Sequence, residues 1–322
     1  MPPRKNARAN GDFASAFERI RTTIEQVIQG KSEQIRLALV CMLAEGHLLI
    51  EDVPGVGKTL LAKSIAKTIG CTAGRIQFTP DLLPTDITGV NVFDQEHGDF
   101  EFRQGAVFAN LVLGDEVNRA SPKTQSALLE AMEERQVTVD GVTHPLPDPF
   151  MVIATQNPVE HEGTYPLPVA QLDRFLMRLS IGYPSAASEI EVLHRHGKHS
   201  ALDEIEAVTN ARTILAMIEA TRQVHVAETL NNYIVELVTA TRETSELALG
   251  ASPRASLALL RASRAFAASE GRDYVIPDDV KALAGSVLAH RLFVAPEAEM
   301  SGRAALDVIE DLVSSVAVPI RG

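Results

Sequence analysis

The chain has 322 residues and a formal net charge of −12, with 45% hydrophobic and 22% charged residues. This composition is typical of a globular protein with enough chain for two packed units, and the negative charge disfavours nucleic acid as the main partner. No apolar run reaches membrane-spanning length, and Cys41 and Cys71 lack the spacing of a metal or redox pair. We therefore expect a cytoplasmic protein with no membrane insertion and no nucleic-acid partner.

The first predicted elements are two amphipathic helices and a short apolar strand. Residues 1–12 are expected to form a disordered tail, and apolar residues at helical spacing predict helices over Phe13–Ile28 and Ser32–Ala44. Leu48–Ile50 is a predicted strand that leads into a glycine-broken loop, Glu51-Asp52-Val53-Pro54-Gly55-Val56-Gly57-Lys58-Thr59, and then into a helix. This order aims backbone N–H groups and a helix N-terminus at one point, where a triphosphate can bind.

The residues of this loop predict an ATP site. Lys58 supplies a positive charge for the β- and γ-phosphates, and the Thr59 hydroxyl is a predicted ligand of Mg²⁺. The strict motif has a glycine five residues before Gly57, where this chain has Asp52. Aspartate tolerates turn conformations, so we still predict nucleotide binding. The other predicted contacts to the nucleotide are Pro54, Gly55, Val56, Gly57 and Leu60.

A second motif follows a predicted strand at Arg75–Phe78 and a predicted hairpin that joins Val90–Phe93 to Phe100–Phe102. Leu111–Leu113 is a buried-strand run that ends in Asp115 and Glu116. At a strand's carboxyl end, the first acid can hold the Mg²⁺ water shell and the second can orient an attacking water as a general base. The pair therefore predicts hydrolysis rather than phosphate transfer to a hydroxyl.

The third motif is Asn157, which follows the predicted strand Phe150–Ala154 and can hold the attacking water or the γ-phosphate. A helix over Gln171–Met177 and a strand over Arg178–Ile181 are predicted next. The alternation of strands and helices predicts an α/β fold with an open parallel sheet that is covered by helices on both faces. We place this core at residues 13–184.

After Pro184 the β-rich runs stop and alanine-rich amphipathic helices follow, which predicts a smaller all-helical lid over residues 185–322. Arg174 ends a short polar segment of the core and is a candidate arginine finger for a neighbouring subunit. Arg254 follows Ser252-Pro253 at a helix start, from which it is expected to fold onto the bound nucleotide. The alternatives are an ion pair within the chain for Arg174 and a solvated side chain for Arg254.

The chain resembles the MoxR family of AAA+ ATPases, in the helix-2-insert clade, at Glu51–Thr59, Gly114–Arg119, Pro122–Gln136 and Ala154–Phe175. The resemblance runs from about Val27 to the C-terminus, and it implies a P-loop NTPase fold. It also implies a Walker A motif at Pro54–Thr59, a Walker B motif at Asp115–Glu116, sensor 1 at Asn157, an arginine finger at Arg174 and sensor 2 at Arg254.

The resemblance further places an insert in helix 2 at Val90–Phe102 and a hairpin at Gln136–His144. Members of the family are chaperone-like ring ATPases, which implies a homo-oligomeric, hexameric ring. They act on client protein complexes, often with a von Willebrand A-type partner, and hydrolysis is expected to rotate the lid against the core. One departure is Val169, where similar chains carry an acid.

Three other functions stay open. The same site fits the motor subunit of a metal chelatase, which Asp115–Asn118 and the insert also resemble. A non-hydrolysing nucleotide-sensing scaffold is disfavoured by the intact Lys58, Glu116 and Asn157. A DNA-translocating motor is disfavoured by the acids of the insert.

Two further features are expected to be structural. The spacing of His194, His196 and His199 spreads these side chains around a helix, which disfavours a metal site. Three aromatic residues of the insert are expected to pack on the face of the hairpin rather than grip a client: Phe93, Phe100 and Phe102.

Overall fold

The computed structural model of the protein describes residues 5–53, 55–157, 164–184, 186, 189–190 and 201–318. Its strands are β1 Leu48–Glu51, β2 Ala73–Gln77, β3 Gly89–Asp94, β4 Asp99–Gln104, β5 Leu111–Asp115, β6 Gln136–Val139, β7 Val142–Pro145, β8 Met151–Gln156, β9 Met177–Leu179, β10 Leu247–Leu249 and β11 Phe293–Val294. The helices of the first half are α1 Lys5–Glu25, α2 Ser32–Leu43, α3 Lys58–Thr68, α4 Pro84–Thr88, α5 Pro122–Glu134 and α6 Val169–Leu172. Those of the second half are α7 Ala201–Glu204, α8 Ala211–Arg222, α9 Glu228–Glu243, α10 Pro253–Ser269, α11 Pro277–Leu288, α12 Pro296–Met300 and α13 Ala305–Ser315.

The centre of the molecule is a five-stranded parallel sheet with the strand order β2-β5-β8-β1-β9. In register, Glu51 of β1 lies opposite Gln156 of β8, and Gly114 of β5 lies opposite Ala154 of β8. The ends of β5, β8 and β1 therefore meet at one edge of the sheet, the carboxyl edge, with β8 in the middle. The predicted α/β fold is confirmed.

Helices cover both faces of this sheet, because the three central strands β5, β8 and β1 have buried apolar side chains on both sides. On one face, Leu49, Val112 and Val152 pack under α5. On the other face, Leu48 and Ile50 pack under α1, α2 and α3, and the same apolar cluster continues without a break into α8, α9, α10, α11 and α13. The helical half of the chain thus shares one core with the α/β half.

The helical half also makes polar contacts at the opposite edge of the sheet, the amino edge, where the strands begin. Asp173, just before β9, accepts hydrogen bonds from Ser252 Oγ at 2.8 Å and from Arg291 Nε at 2.7 Å. His290 Nε2 lies 3.0 Å from the carbonyl oxygen of Phe175, and Arg261 Nε donates to the carbonyl oxygen of Ala44 at 3.0 Å. These contacts fix the start of α10 beside the amino edge.

Several elements differ from the predictions. The helix predicted over Gln171–Met177 is wrong: α6 ends at Leu172 and β9 begins at Met177. The reason is that Leu176 N–H donates to the carbonyl oxygen of His47 at 2.8 Å, which draws the chain into the sheet beside β1. Helix α4 and the small β10–β11 sheet were not predicted, and α1 begins at Lys5 rather than at Phe13. The domain bounds, including the tail over 1–12, stay predictions.

The insert is the antiparallel hairpin β3–β4. As expected, Phe102 packs inward, stacking on His144 at a centroid distance of 3.8 Å. Phe93 and Phe100 also pack on the hairpin: they lie opposite each other with ring centroids 5.3 Å apart in an edge-to-face arrangement, although they are 51% and 66% exposed. The pair is flanked in sequence by the acids Asp94, Glu96, Asp99 and Glu101.

Two absences concern the described residues alone. None of their helices combines the length and the apolar character that a bilayer crossing requires. They also contain no group of three or more His, Cys, Asp or Glu side chains placed to hold a metal ion. The three histidines His194, His196 and His199 lie outside the described residues.

Candidate functional site

The loop between β1 and α3 has the backbone of a phosphate cradle. Gly55 and Gly57 have φ angles of +85° and +93°, which glycine adopts without strain. Among the described residues, no heavy atom lies within 4 Å of where a Cβ would stand at either glycine, so the loop is open on that side. Lys58, Thr59 and Leu60 form the first turn of α3, and the N-terminus of a helix suits an anion. The residues present therefore fit a triphosphate; Pro54 lies outside the described residues.

Lys58 lies over this loop. Its Nζ donates to the carbonyl oxygen of Asp52 at 2.5 Å, so the ammonium group is held above the residues that are predicted to bind phosphate. A charge in this position is ready to move onto a β- or γ-phosphate oxygen.

The two acids at the end of β5 are oriented by Thr155 of the neighbouring strand β8. The Thr155 hydroxyl donates to Asp115 Oδ1 at 2.8 Å and accepts a hydrogen bond from the Glu116 N–H at 2.9 Å. Glu116 has a left-handed backbone with φ of 58°, which is uncommon for a non-glycine residue and frequent at functional sites. Sequence reasoning missed Thr155, although a polar residue within the apolar run of β8 was a usable signal.

The carboxylates themselves face β2. Glu116 Oε2 accepts hydrogen bonds from Gln77 Nε2 at 3.1 Å and Arg119 Nη1 at 3.0 Å, and Asp115 Oδ2 pairs with Arg75 Nη2 at 2.8 Å. Strand β2 lies on the side of β5 that is remote from the phosphate loop. The predicted role of Glu116 as a base therefore requires its carboxylate to leave Gln77. Exposed contacts of this kind contribute about 1 kcal/mol each, so the change is small in free energy.

Asn157 completes the carboxyl edge. It directly follows β8, is 5% exposed, and its carbonyl oxygen accepts a hydrogen bond from Asn118 Nδ2 at 3.5 Å. Because β8 lies between β5 and β1, Asn157 stands between the acids and the phosphate loop. The structure thus brings together the three motifs that the sequence placed at strand ends.

The two candidate arginines lie elsewhere. Arg174 Nη2 and Arg254 Nη2 pair with the two oxygens of one carboxylate, that of Glu133, at 3.1 Å and 2.8 Å. Glu133 is in the last turn of α5, which is anchored by a hydrogen bond between His47 Nε2 and the carbonyl oxygen of Met132 at 3.0 Å. His47 immediately precedes β1, so this carboxylate and both arginines are at the amino edge.

This location changes the interpretation of both arginines. The sequence suggested that Arg254 folds onto the bound nucleotide. In the structure it does not lie on the phosphate loop of its own chain. Arg174 does form an ion pair within the chain, but with Glu133, because Asp173 is already paired with Arg291. Neither arginine contacts the carboxyl edge where the nucleotide motifs meet.

The amino edge is concave around these side chains. A cavity of about 450 Å³ is lined by Glu130, Glu133, Gln171 and Arg174. A second cavity, of about 320 Å³, is lined by Arg174 together with four further arginines: Arg135, Arg254, Arg261 and Arg291. Acids line these cavities as well, among them Glu45, Glu133 and Asp173, so this side of the molecule is a recess of mixed charge on the far side of the sheet from the phosphate loop.

Comparison with known proteins identifies the family. Residues 47–177 match the profile described as "ATPase family associated with various cellular activities (AAA)", and residues 239–312 match an AAA lid domain. The chain is 43% identical to Chaperone MoxR1 of Mycobacterium tuberculosis, over 94% of this chain and 82% of that protein. The chain belongs to the MoxR family of AAA+ ATPases.

Two other comparisons cover nearly the whole MoxR fold. The chain is 49% identical to the uncharacterized protein YeaC of Bacillus subtilis, over 92% of this chain and 93% of YeaC. A crystal structure of a protein from Cytophaga hutchinsonii, assigned as an ATPase, superposes with a TM-score of 0.90 at 40% identity and covers 97% of each chain. The resemblance to the MoxR family that was seen in the sequence is confirmed, and so is the fold.

Proposed function

We propose that this MoxR-family protein is an Mg²⁺-dependent ATP hydrolase that works as a chaperone-like ring motor on client protein complexes. The observation that carries the proposal is the meeting of three motifs at the carboxyl edge: the phosphate loop, the Asp115–Glu116 pair and Asn157. The name of the relative MoxR1 supports a chaperone role. A von Willebrand A-type partner and a cytoplasmic location stay predictions.

The residues divide the chemistry between them. ATP would be held by residues 54–60, with Lys58 on the β- and γ-phosphates, and Thr59 and Asp115 would hold Mg²⁺. When bound, Mg²⁺ withdraws negative charge from the phosphates and so favours attack on the γ-phosphorus. Glu116 turns from Gln77 to orient the attacking water, and Asn157 holds that water or the γ-phosphate in place.

A ring explains the position of the arginines. Arg174 and Arg254 are on the edge opposite the phosphate loop of their own chain, so the nucleotide that they serve belongs to a neighbouring subunit. A head-to-tail arrangement of identical chains brings the amino edge of one subunit to the carboxyl edge of the next and closes into a ring, for which we propose six subunits.

The test is steady-state ATP hydrolysis by Glu116→Gln. Removal of the base is expected to lower turnover about 100-fold or more, while equilibrium binding of ATP is retained because the phosphate loop is unchanged. Glu236→Gln, an exposed acid on α9, is the control and keeps full turnover. Near-wild-type turnover by Glu116→Gln would refute the assigned base, whereas a wild-type protein that binds ATP without hydrolysing it would instead support the nucleotide-sensing scaffold.

A further inference from the structure

Asp52, which occupies the position of the first glycine in the strict phosphate-loop motif, has a buried and fully engaged side chain. The residue is 8% exposed. Its Oδ1 accepts a hydrogen bond from the Val53 N–H at 2.9 Å, and its Oδ2 accepts bonds from the Gly182 N–H at 2.6 Å and the Ser180 hydroxyl at 3.1 Å. The carboxylate thus ties the phosphate loop to a turn more than a hundred residues further along the chain.

This turn, Ser180–Tyr183, begins the connection from β9 to the helical half. Gly182 has a φ of +67°, a conformation that favours glycine. Lys31 Nζ donates to the carbonyl oxygens of Ile181 and Tyr183 at 2.5 and 2.9 Å. The N–H side of the turn is therefore bound by Asp52 and its carbonyl side by Lys31.

Burial raises the pKa of the Asp52 carboxyl, but the hydrogen bonds from Gly182, Ser180 and Val53 lower it, and the net effect is a pKa below the ordinary value. Asp52 is thus a charged acceptor at neutral pH, and hydrogen bonds to a charged acceptor are the stronger kind. A glycine at this position would make none of these contacts.

The main chain of Asp52 connects the same residue to Lys58 and to β8. Its carbonyl oxygen accepts the hydrogen bond from Lys58 Nζ, and its N–H donates to the carbonyl oxygen of Gln156 at 3.3 Å. The position of the Lys58 ammonium is therefore set by a residue whose side chain is fixed on the Ser180–Tyr183 turn.

We propose that Asp52 is a positioning residue that couples the phosphate-bound state of Lys58 to the Ser180–Tyr183 turn, and through it to the connection between the two halves of the chain. When Lys58 moves onto a phosphate, the Asp52 carbonyl oxygen loses the hydrogen bond from Lys58 Nζ. The resulting shift of Asp52 is passed to the turn through the hydrogen bonds of its carboxylate. The coupling rests on the proposed function in one respect, namely that the loop binds ATP.

The experiment compares wild type with Asp52→Gly, which restores the strict motif, and with Ser180→Ala, which removes one donor and leaves the loop intact. Hydrogen exchange of the Gly182 amide is measured with and without ATP and Mg²⁺. We expect Asp52→Gly to raise the ATP-free exchange rate about tenfold or more and to abolish its response to ATP, with a smaller change in Ser180→Ala.

Steady-state kinetics separate positioning from simple loop folding. We expect kcat of Asp52→Gly to fall about fivefold or more while KM for ATP stays within about threefold, since a glycine loop still binds phosphate. A raised KM with unchanged kcat, or unchanged Gly182 exchange in both variants, overturns the proposal. A wild-type protein without ATPase activity would defeat the proposed function, but the ATP-free exchange of Gly182 would still decide whether Asp52 holds the turn.

Discussion

At the scale of single residues, the Glu133 carboxylate holds two arginine side chains at the amino edge. It binds Arg174 through one oxygen and Arg254 through the other, and the three side chains are 34%, 30% and 57% exposed. Partly exposed ion pairs contribute only about 0.2–1 kcal/mol each, so Glu133 can orient both guanidinium groups and still release them. A triphosphate from a neighbouring subunit, with more negative charge than one carboxylate, is a suitable acceptor for both.

We therefore expect Glu133→Gln to lower turnover of the ring about three- to tenfold, because the amide keeps one acceptor oxygen and loses the charge that holds the second arginine. ATP binding to an isolated subunit is expected to be unchanged, since Glu133 lies at the opposite edge from the phosphate loop of its own chain. ATPase rates and ATP titration measure the two effects. The matched control is Glu130→Gln, which lines the same cavity one turn earlier on α5. Equal losses in both variants would contradict the assignment.

At the scale of elements, the parts of the site that lie at the end of a strand could be predicted, because an apolar run followed by a polar residue is a local signal. Glu116 and Asn157 were found in this way, and Lys58 was found from the glycine-broken loop that follows β1. Thr155, Gln77 and Glu133 were not found as partners, because each acts through a residue that is distant in sequence. The pairing of β10 with β11 was missed for the same reason, and α6 was predicted too long because the bond from Leu176 to His47 is non-local.

His47 shows how one such contact supports several elements. It precedes β1, and it bonds the Met132 carbonyl oxygen of α5 through Nε2, while its Nδ1 accepts the Val152 N–H of β8 at 2.9 Å. This pattern requires the neutral ring with its proton on Nε2. Burial is the main cause that lowers the pKa of His47 from 6.5 to about 4.

Because of this lowered pKa, the protein is expected to become less stable as the pH falls below 6.5. Below pH 6.5 the unfolded chain gains a proton on His47 while the folded chain stays neutral until about pH 4, so the free energy of unfolding decreases over that range. Between pH 7.5 and 5, His47 is expected to lower the free energy of unfolding by about 2 kcal/mol. Urea unfolding of wild type and of His47→Gln at the two pH values measures it by difference, because burial also lowers the pKa of His290 and adds to the pH dependence of both proteins. His47→Gln is expected to be less stable at pH 7.5 but to show a smaller pH dependence, and an unchanged dependence would contradict this role.

At the scale of the whole molecule, the two halves of the chain behave as one body. A single apolar cluster runs from α1 and β1 into α9, α10 and α11, and the buried Arg291 joins the two halves through Asp173 and the Phe175 carbonyl oxygen at 2.6 Å. Large apolar interfaces oppose movement between domains. The expected rotation of the lid against its own core would have to break these contacts, and it stays a prediction.

Subunit mixing tests the proposed ring. If each site combines the phosphate loop of one subunit with the arginines of the next, Lys58→Ala and Arg174→Ala rings are each expected to be nearly inactive. In an equal mixture, about a quarter of the interfaces join an intact loop to an intact Arg174, so about a quarter of wild-type ATPase activity returns. The matched control mixes Lys58→Ala with subunits that carry both substitutions, where no interface is complete and no activity returns. Wild-type turnover by Arg174→Ala alone, or no recovery in the first mixture, would show that the sites are not shared between subunits.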